Sequence, residues 1–160
     1  MMRSCVLQID DDENDIYLLK FAWEQANVKP PLVAVTSGME ALRYFERQGQ
    51  FSDAERYPFP SLVLLDLRMP RMNGLEVLEW MRAQPKLWGL VVVVLTASAY
   101  PDDVEQACKL GANAFVQKPG SHEELVALVQ ALKAFWFQFH EFPARADHVL
   151  EGVSRPRLQP

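Results

Sequence analysis

The run Leu62-Val63-Leu64-Leu65 leads straight into Asp66, and Pro70 and Gly74 then break the chain. A strand with one wet face alternates apolar and polar side chains, so an unbroken aliphatic run reads as a strand covered on both faces. Strands of that kind belong to parallel sheets, whose neighbours must be joined by crossover helices. The stretch therefore confines the chain to an α/β architecture and puts Asp66 at the carboxyl end of a strand. In an open parallel sheet that edge is where ligands bind. A carboxylate placed there costs desolvation free energy unless it has a partner, which makes Asp66 a candidate for chemistry.

The pattern recurs along the chain. Cys5-Val6-Leu7-Gln8-Ile9 ends in Asp10-Asp11-Asp12-Glu13, and Leu32-Val33-Ala34-Val35 is a second strand. The β-branched run Leu90-Val91-Val92-Val93-Val94-Leu95 delivers Thr96-Ala97-Ser98, and Ala114-Phe115-Val116-Gln117 delivers Lys118-Pro119. Helical spacing fills the gaps. Ile16, Leu19 and Trp23, with Tyr17 and Ala26 alongside, predict a first helix capped by Asp12 or Asn14 and stopped by Pro30-Pro31. Ser37 with Glu40 predicts a capping box and a short helix to about Arg47. Gly74 to about Ala83 reads as a third helix, and Pro101 to the C-cap Gly111 as a fourth. Ser121 with Glu124 predicts a second capping box and a fifth helix that continues to Phe139. Residues 48–60 form a long connection whose Tyr57-Pro58-Phe59-Pro60 should dock on the body as an ordered loop. Right-handed crossovers then give a doubly wound five-stranded parallel sheet of order 2-1-3-4-5, a flavodoxin-like arrangement with its crevice between strands one and three. Residues 1–139 make one domain, and 140–160 a C-terminal extension without its own fold.

Strand ends in that topology gather Asp10, Asp11, Asp66, Thr96 and Lys118 on one edge. Three crowded carboxylates cannot all stay ionised without a cation, and hard oxygen ligands suit Mg²⁺. Three Asp, one Mg²⁺ and one Lys sum to about zero formal charge, so the pocket can accept an incoming phosphoryl group. Phosphoryl transfer needs positioning and neutralisation of the equatorial oxygens, with Asp66 as the nucleophile. A net charge of -5 and the lack of a basic stripe argue against nucleic acid as a partner. No signal peptide or membrane span is visible, so a cytoplasmic location is expected. Cys5 and Cys108 lie in apolar patterns without metal spacing and read as small hydrophobes.

Asp10-Asp11 after strand one, Asp66-x-x-Met69-Pro70-x-Met72-x-Gly74, Thr96-Ala97 and Lys118-Pro119 together resemble the CheY-like receiver domain of two-component response regulators, over about Val6 to Phe139. The resemblance implies that Asp66 takes phosphate from a sensor histidine kinase, with Asp10, Asp11 and the backbone carbonyl of Arg68 completing a Mg²⁺ site. It implies that Thr96 and Lys118 bind the phosphoryl oxygens, and that Phe115 is the switch aromatic that follows Thr96. Arg68 and Ser98 occupy positions that vary in the family, and Gly120 stands where an apolar residue is usual.

Too little chain follows the fifth helix for an output domain, so the expected protein is a stand-alone receiver that signals through its surface or relays phosphate. It is a phosphoacceptor with self-catalysed phosphorylation and dephosphorylation, and not an enzyme otherwise. A hydrolase or transferase with an aspartyl intermediate would need an acid two positions after Asp66, where Arg68 stands. The connection at 57–60 and the Phe135-Trp136-Phe137 cluster are similar to regulators paired with phytochrome-type kinases. Aromatics on several faces of helix five point to a homodimer through helix four, strand five and helix five, with the tail over the seam. A tail folded back over the same aromatics within one chain is the competing expectation.

Overall fold

Every strand pairs in parallel with its neighbour in a sheet of order β2-β1-β3-β4-β5 in the computed structural model, which describes residues 4–97 and 99–142. The strands are β1 (Cys5–Ile9), β2 (Leu32–Val35), β3 (Pro60–Leu65), β4 (Val91–Thr96) and β5 (Ala114–Gln117). The helices between them are α1 (Glu13–Gln25), α2 (Gly38–Phe45), α3 (Gly74–Ala83), α4 (Pro101–Lys109) and α5 (His122–Leu132). The expected doubly wound sheet is the one observed. No helix among the described residues is long and apolar enough to cross a membrane.

Alternate residues of the central strands face opposite helical layers. Leu7, Ile9, Val63 and Leu65 pack with Tyr44 and Leu78 under α2 and α3. Val6, Leu62, Leu64 and Val93 pack with Leu19, Trp23 and Val129 under α1 and α5. Burial on both sides explains the absence of alternation in these runs, and each such side chain contributes roughly 1.5 to 3 kcal/mol. Tyr17 stands on the solvent side of α1, outside the apolar stripe it was grouped with.

Caps set the helix starts. Asp12 caps α1, accepting from the N–H groups of Asn14 and Asp15, which decides between the two candidates. Ser37 accepts from Glu40 N–H, while the Glu40 carboxylate reaches one residue further back, to Thr36 N–H and Oγ1. Ser121 accepts from Glu124 N–H. A reciprocal capping box not foreseen in the sequence forms at Asn73 and Glu76. Gly111 follows α4 at φ +85°, the left-handed conformation that ends a helix most cheaply with glycine.

The connection between α2 and β3 is ordered, as expected. It contains a 3-10 turn at Gly49–Ser52 that buries Phe51 against Tyr44 and Tyr57. The Tyr44 hydroxyl donates to Pro58 O at 2.6 Å, the Cys5 thiol donates to the same carbonyl at 3.2 Å, and Arg47 bonds Tyr57 O.

Helix five departs from expectation. It is α-helical only to Leu132, and Lys133–Phe139 is π-helical. The wider π turn brings consecutive side chains closer in angle than an α-helix does, so Trp136 and Phe137 both pack against the α1 layer. Phe135 and Phe139 are left exposed. The first residues of the predicted extension turn back onto the aromatics, with the His140 ring 4.7 Å from Trp136 and the Phe142 ring 6.0 Å from Phe137, as the competing expectation of a tail folded back within one chain has it. Residues 143–160 lie outside the described residues, as does Ser98.

Arg82 ties α3 to the far ends of two loops. Its guanidinium donates to Leu87 O at 3.1 Å, Trp88 O at 3.0 Å and Gly111 O at 2.7 Å, and burial lowers its pKa. Arg82→Met should leave these carbonyls partly unmet and cost roughly 1 to 3 kcal/mol, read as a lower urea midpoint with an unchanged slope.

Candidate functional site

Asp10, Asp66 and Thr96 each stand at the end of a central strand and are nearly inaccessible, at 2%, 6% and 0% exposure. β1, β3 and β4 are neighbours, so parallel pairing alone puts their carboxyl ends side by side. Asp66 N–H donates to Ile9 O at 2.9 Å, which continues the ladder one residue past β3 and fixes where the carboxylate begins. Close packing fixes it from the other side. A Cβ added at Gly74 would lie 2.2 Å from Asp66 O and 2.7 Å from Leu67 Cα, so α3 starts against the backbone of the site residue itself.

The two carboxylate oxygens of Asp66 have separate partners. Oδ1 accepts from Thr96 Oγ1 at 3.0 Å and from Arg68 N–H at 3.1 Å. Oδ2 accepts from Lys118 Nζ at 3.0 Å. Lys118 is held at the end of β5, where its N–H bonds Thr96 O at 2.7 Å. Its ammonium also donates to Asp10 Oδ2 at 2.8 Å and to Asp15 Oδ2 at 2.7 Å. Burial works against this charge, but the bonds to Asp10, Asp15 and Asp66 together outweigh it and raise the Lys118 pKa.

Asp10, Asp11 and Asp66 each offer a carboxylate oxygen within 4.8 Å of the others, Asp11 from an exposed position. This donor set of hard anionic oxygens, with an open side, fits a small divalent cation. Burial raises the Asp10 pKa from 3.8 to about 6, against the lowering by Lys118 and by the N–H of Asp12. A carboxyl whose folded-state pKa lies above its unfolded value binds more protons when folded. Its contribution to stability is therefore present at low pH and lost as pH rises from about 4 to about 6. Wild type and Asp10→Asn, titrated with urea in chelator, should differ progressively across that window. A constant difference from pH 4 to 7 would contradict the burial effect.

Sequence reasoning brought Asp10, Asp11, Asp66, Thr96 and Lys118 together, and so does the structure. Phe115 is half-buried on β5, packed beside Leu67, Val94 and Ala107 rather than in the site. Two residues were missed. Asp15, a first-turn acid of α1 that the sequence analysis did not single out, is the third partner of the Lys118 ammonium. Its signal was position, since it is one turn beyond Asp12 and so returns to the sheet edge. Asp103 in α4 pairs with Arg68, and nothing in a single sequence marks that pairing.

Residues 6–130 match the family model described as the response regulator receiver domain. Response regulator Rcp1 of Synechocystis is 31% identical over 139 residues, which cover 87% of this chain and 92% of Rcp1. The Mn(2+)-bound form of Rcp1 superposes with a TM-score of 0.78 at 30% identity, over 88% of this chain and 99% of that one. The phosphorylated cyanobacterial phytochrome response regulator RcpA gives 0.80 at 30% identity, over 89% and 99%. A response regulator in red light signalling of R. palustris gives 0.82 at 30% identity, over 88% and 99%.

Proposed function

This chain belongs to the response regulator receiver family, and from that premise we propose that it accepts a phosphoryl group on Asp66 from a sensor histidine kinase. The observation that carries the reading is the arrangement of Asp66 itself, a buried carboxylate with one oxygen on Thr96 and Arg68 N–H and the other on Lys118. An Asp66 oxygen attacks phosphorus, the bond from phosphorus to the donor's imidazole nitrogen breaks, and the imidazole leaves with the electron pair. Lys118 and the Thr96 hydroxyl then bind phosphoryl oxygens, which neutralises charge where it develops. Asp10, Asp11, Asp66 and the Arg68 carbonyl would hold the divalent cation, Mg²⁺ in the cell. When bound, it supplies charge neutralisation between the carboxylates and the phosphoryl group. The Mn(2+)-bound form of Rcp1 supports a divalent site of this kind.

Thr96 and Phe115 form the switch: as the Thr96 hydroxyl follows the phosphoryl group, Phe115 turns inward and the α4, β5 and α5 face changes. Phosphorylation must favour the switched arrangement by about 1 to 3 kcal/mol to act as a signal. The protein is a phosphoacceptor in the cytoplasm, and the kinase is a phytochrome-type photoreceptor, a reading supported by RcpA and by the red-light regulator. Phe135 and Phe139, 57% and 78% exposed, favour a homodimer on the same face. A sedimentation mass of one chain at tens of micromolar would count against it.

Acetyl phosphate with Mg²⁺ tests the central step. Acetate leaves, the intact mass rises by one phosphoryl group, and hydroxylamine, which cleaves acyl phosphates, removes it. No gain in mass would favour a receiver-shaped binding module.

A further inference from the structure

Arg68 touches two parts of the molecule at once. Its N–H bonds the Asp66 carboxylate at 3.1 Å. Its guanidinium pairs with Asp103 in the first turn of α4 and lies 5.5 Å from the ring centroid of Tyr100, the residue just before that helix. The two members of the pair differ in setting, since the Arg68 side chain is 56% exposed and that of Asp103 only 15%. A cleft of about 340 Å³, lined by Leu67, Arg68, Met69, Asn73, Leu75 and Asp103, gives the arm room to move.

We propose that Arg68 is an exchanging arm, paired with Asp103 while Asp66 is a free carboxylate and drawn to the phosphoryl group once one is attached, which frees the first turn of α4. The proposal rests on Asp66 as phosphoacceptor and adds a link from that residue to α4 that does not run through Thr96. Attachment replaces a single negative charge by one of about -1.5 to -2. Lys118 is already shared among three carboxylates, so the added charge calls for a further donor. A guanidinium binds phosphoryl oxygens in a two-pronged geometry that a single carboxylate oxygen does not match. Asp103 then keeps a mostly buried charge without its cation. Such a group is stabilised by moving toward water, and it carries the start of α4 with it.

Amide hydrogen exchange of the full chain at Val104, whose N–H bonds Tyr100 O at 3.1 Å, and at Glu105 in the following position, followed by NMR before and after treatment with acetyl phosphate and Mg²⁺, tests this. Intact mass is read on the same samples. Wild type should exchange about fivefold faster there once phosphorylated, the factor that loss of a partly exposed ion pair gives. Asp103→Asn should exchange fast before treatment, gain the phosphoryl mass, and change little afterwards. Arg68→Gln should also exchange fast before treatment, and Arg68→Lys, which keeps the charge without the fork, should fall between it and wild type. A full mass gain with unchanged exchange in wild type, or the full wild-type increment in Asp103→Asn, would overturn the arm while leaving the phosphoacceptor reading intact. No mass gain would overturn that reading, and the arm with it.

Discussion

Asp66→Asn should abolish phosphoryl uptake while leaving the fold nearly as stable as before. The loss is chemical, because an amide has no anionic oxygen to attack phosphorus and cannot form an acyl phosphate. The fold survives because gains and losses nearly cancel. One of three neighbouring carboxylate charges disappears, which relieves repulsion with Asp10 and Asp11. One hydrogen bond disappears too. If the amide oxygen faces Lys118, the amide nitrogen faces Arg68 N–H, and in the opposite orientation it faces the ammonium. Thr96 accommodates either, since a hydroxyl both donates and accepts. The net change should stay within about 1 kcal/mol. Intact mass after acetyl phosphate, set beside a urea titration, separates the two effects. A hydroxylamine-labile mass gain in Asp66→Asn would place the acceptor elsewhere.

Gly74→Ala should be among the most damaging single-methyl changes available in the chain. The added carbon would meet Asp66 O at 2.2 Å, Leu67 Cα at 2.7 Å and Asp66 C at 2.9 Å, all backbone. None can rotate away. Asp66 is tied to Ile9 O, and Leu67 O accepts from Gly74 N–H at 3.0 Å. Either α3 retreats from the sheet or the end of β3 is pushed out of register. Overpacking of this severity costs about 3 kcal/mol or more, and the better helix propensity of alanine does not offset it at a first-turn position. The melting temperature should fall by roughly 6 to 12 °C. Because the displaced atoms belong to Asp66, phosphoryl uptake should slow even below that temperature. A melting temperature within about 1 °C of wild type would mean that the helix start is not pressed against the strand.

Much of the site was legible because each of its core members ends a strand. Parallel order is an inference from burial pattern and handedness, and once it is accepted Asp10, Asp66, Thr96 and Lys118 must meet. What was not legible depends on directions that pattern does not encode. Asp15 belongs to a helix and reaches the site only because the end of β5 brings Lys118 over the start of α1. Arg68 and Asp103 are joined by the placement of α4, which no local signal sets. The sequence showed that Phe135, Trp136, Phe137 and Phe139 could not all face inward. It did not show how a π turn sorts them, because a period of 3.6 was assumed to continue.

The seal that Tyr44 and Pro58 place over Cys5 has a practical consequence. The chain has two cysteines; Cys5 is fully buried with its thiol on Pro58 O, whereas Cys108 is exposed on α4. A maleimide dye added to the native protein should therefore label α4 alone, with no engineered residue. The molecule carries its own reporter position on the helix whose displacement is in question.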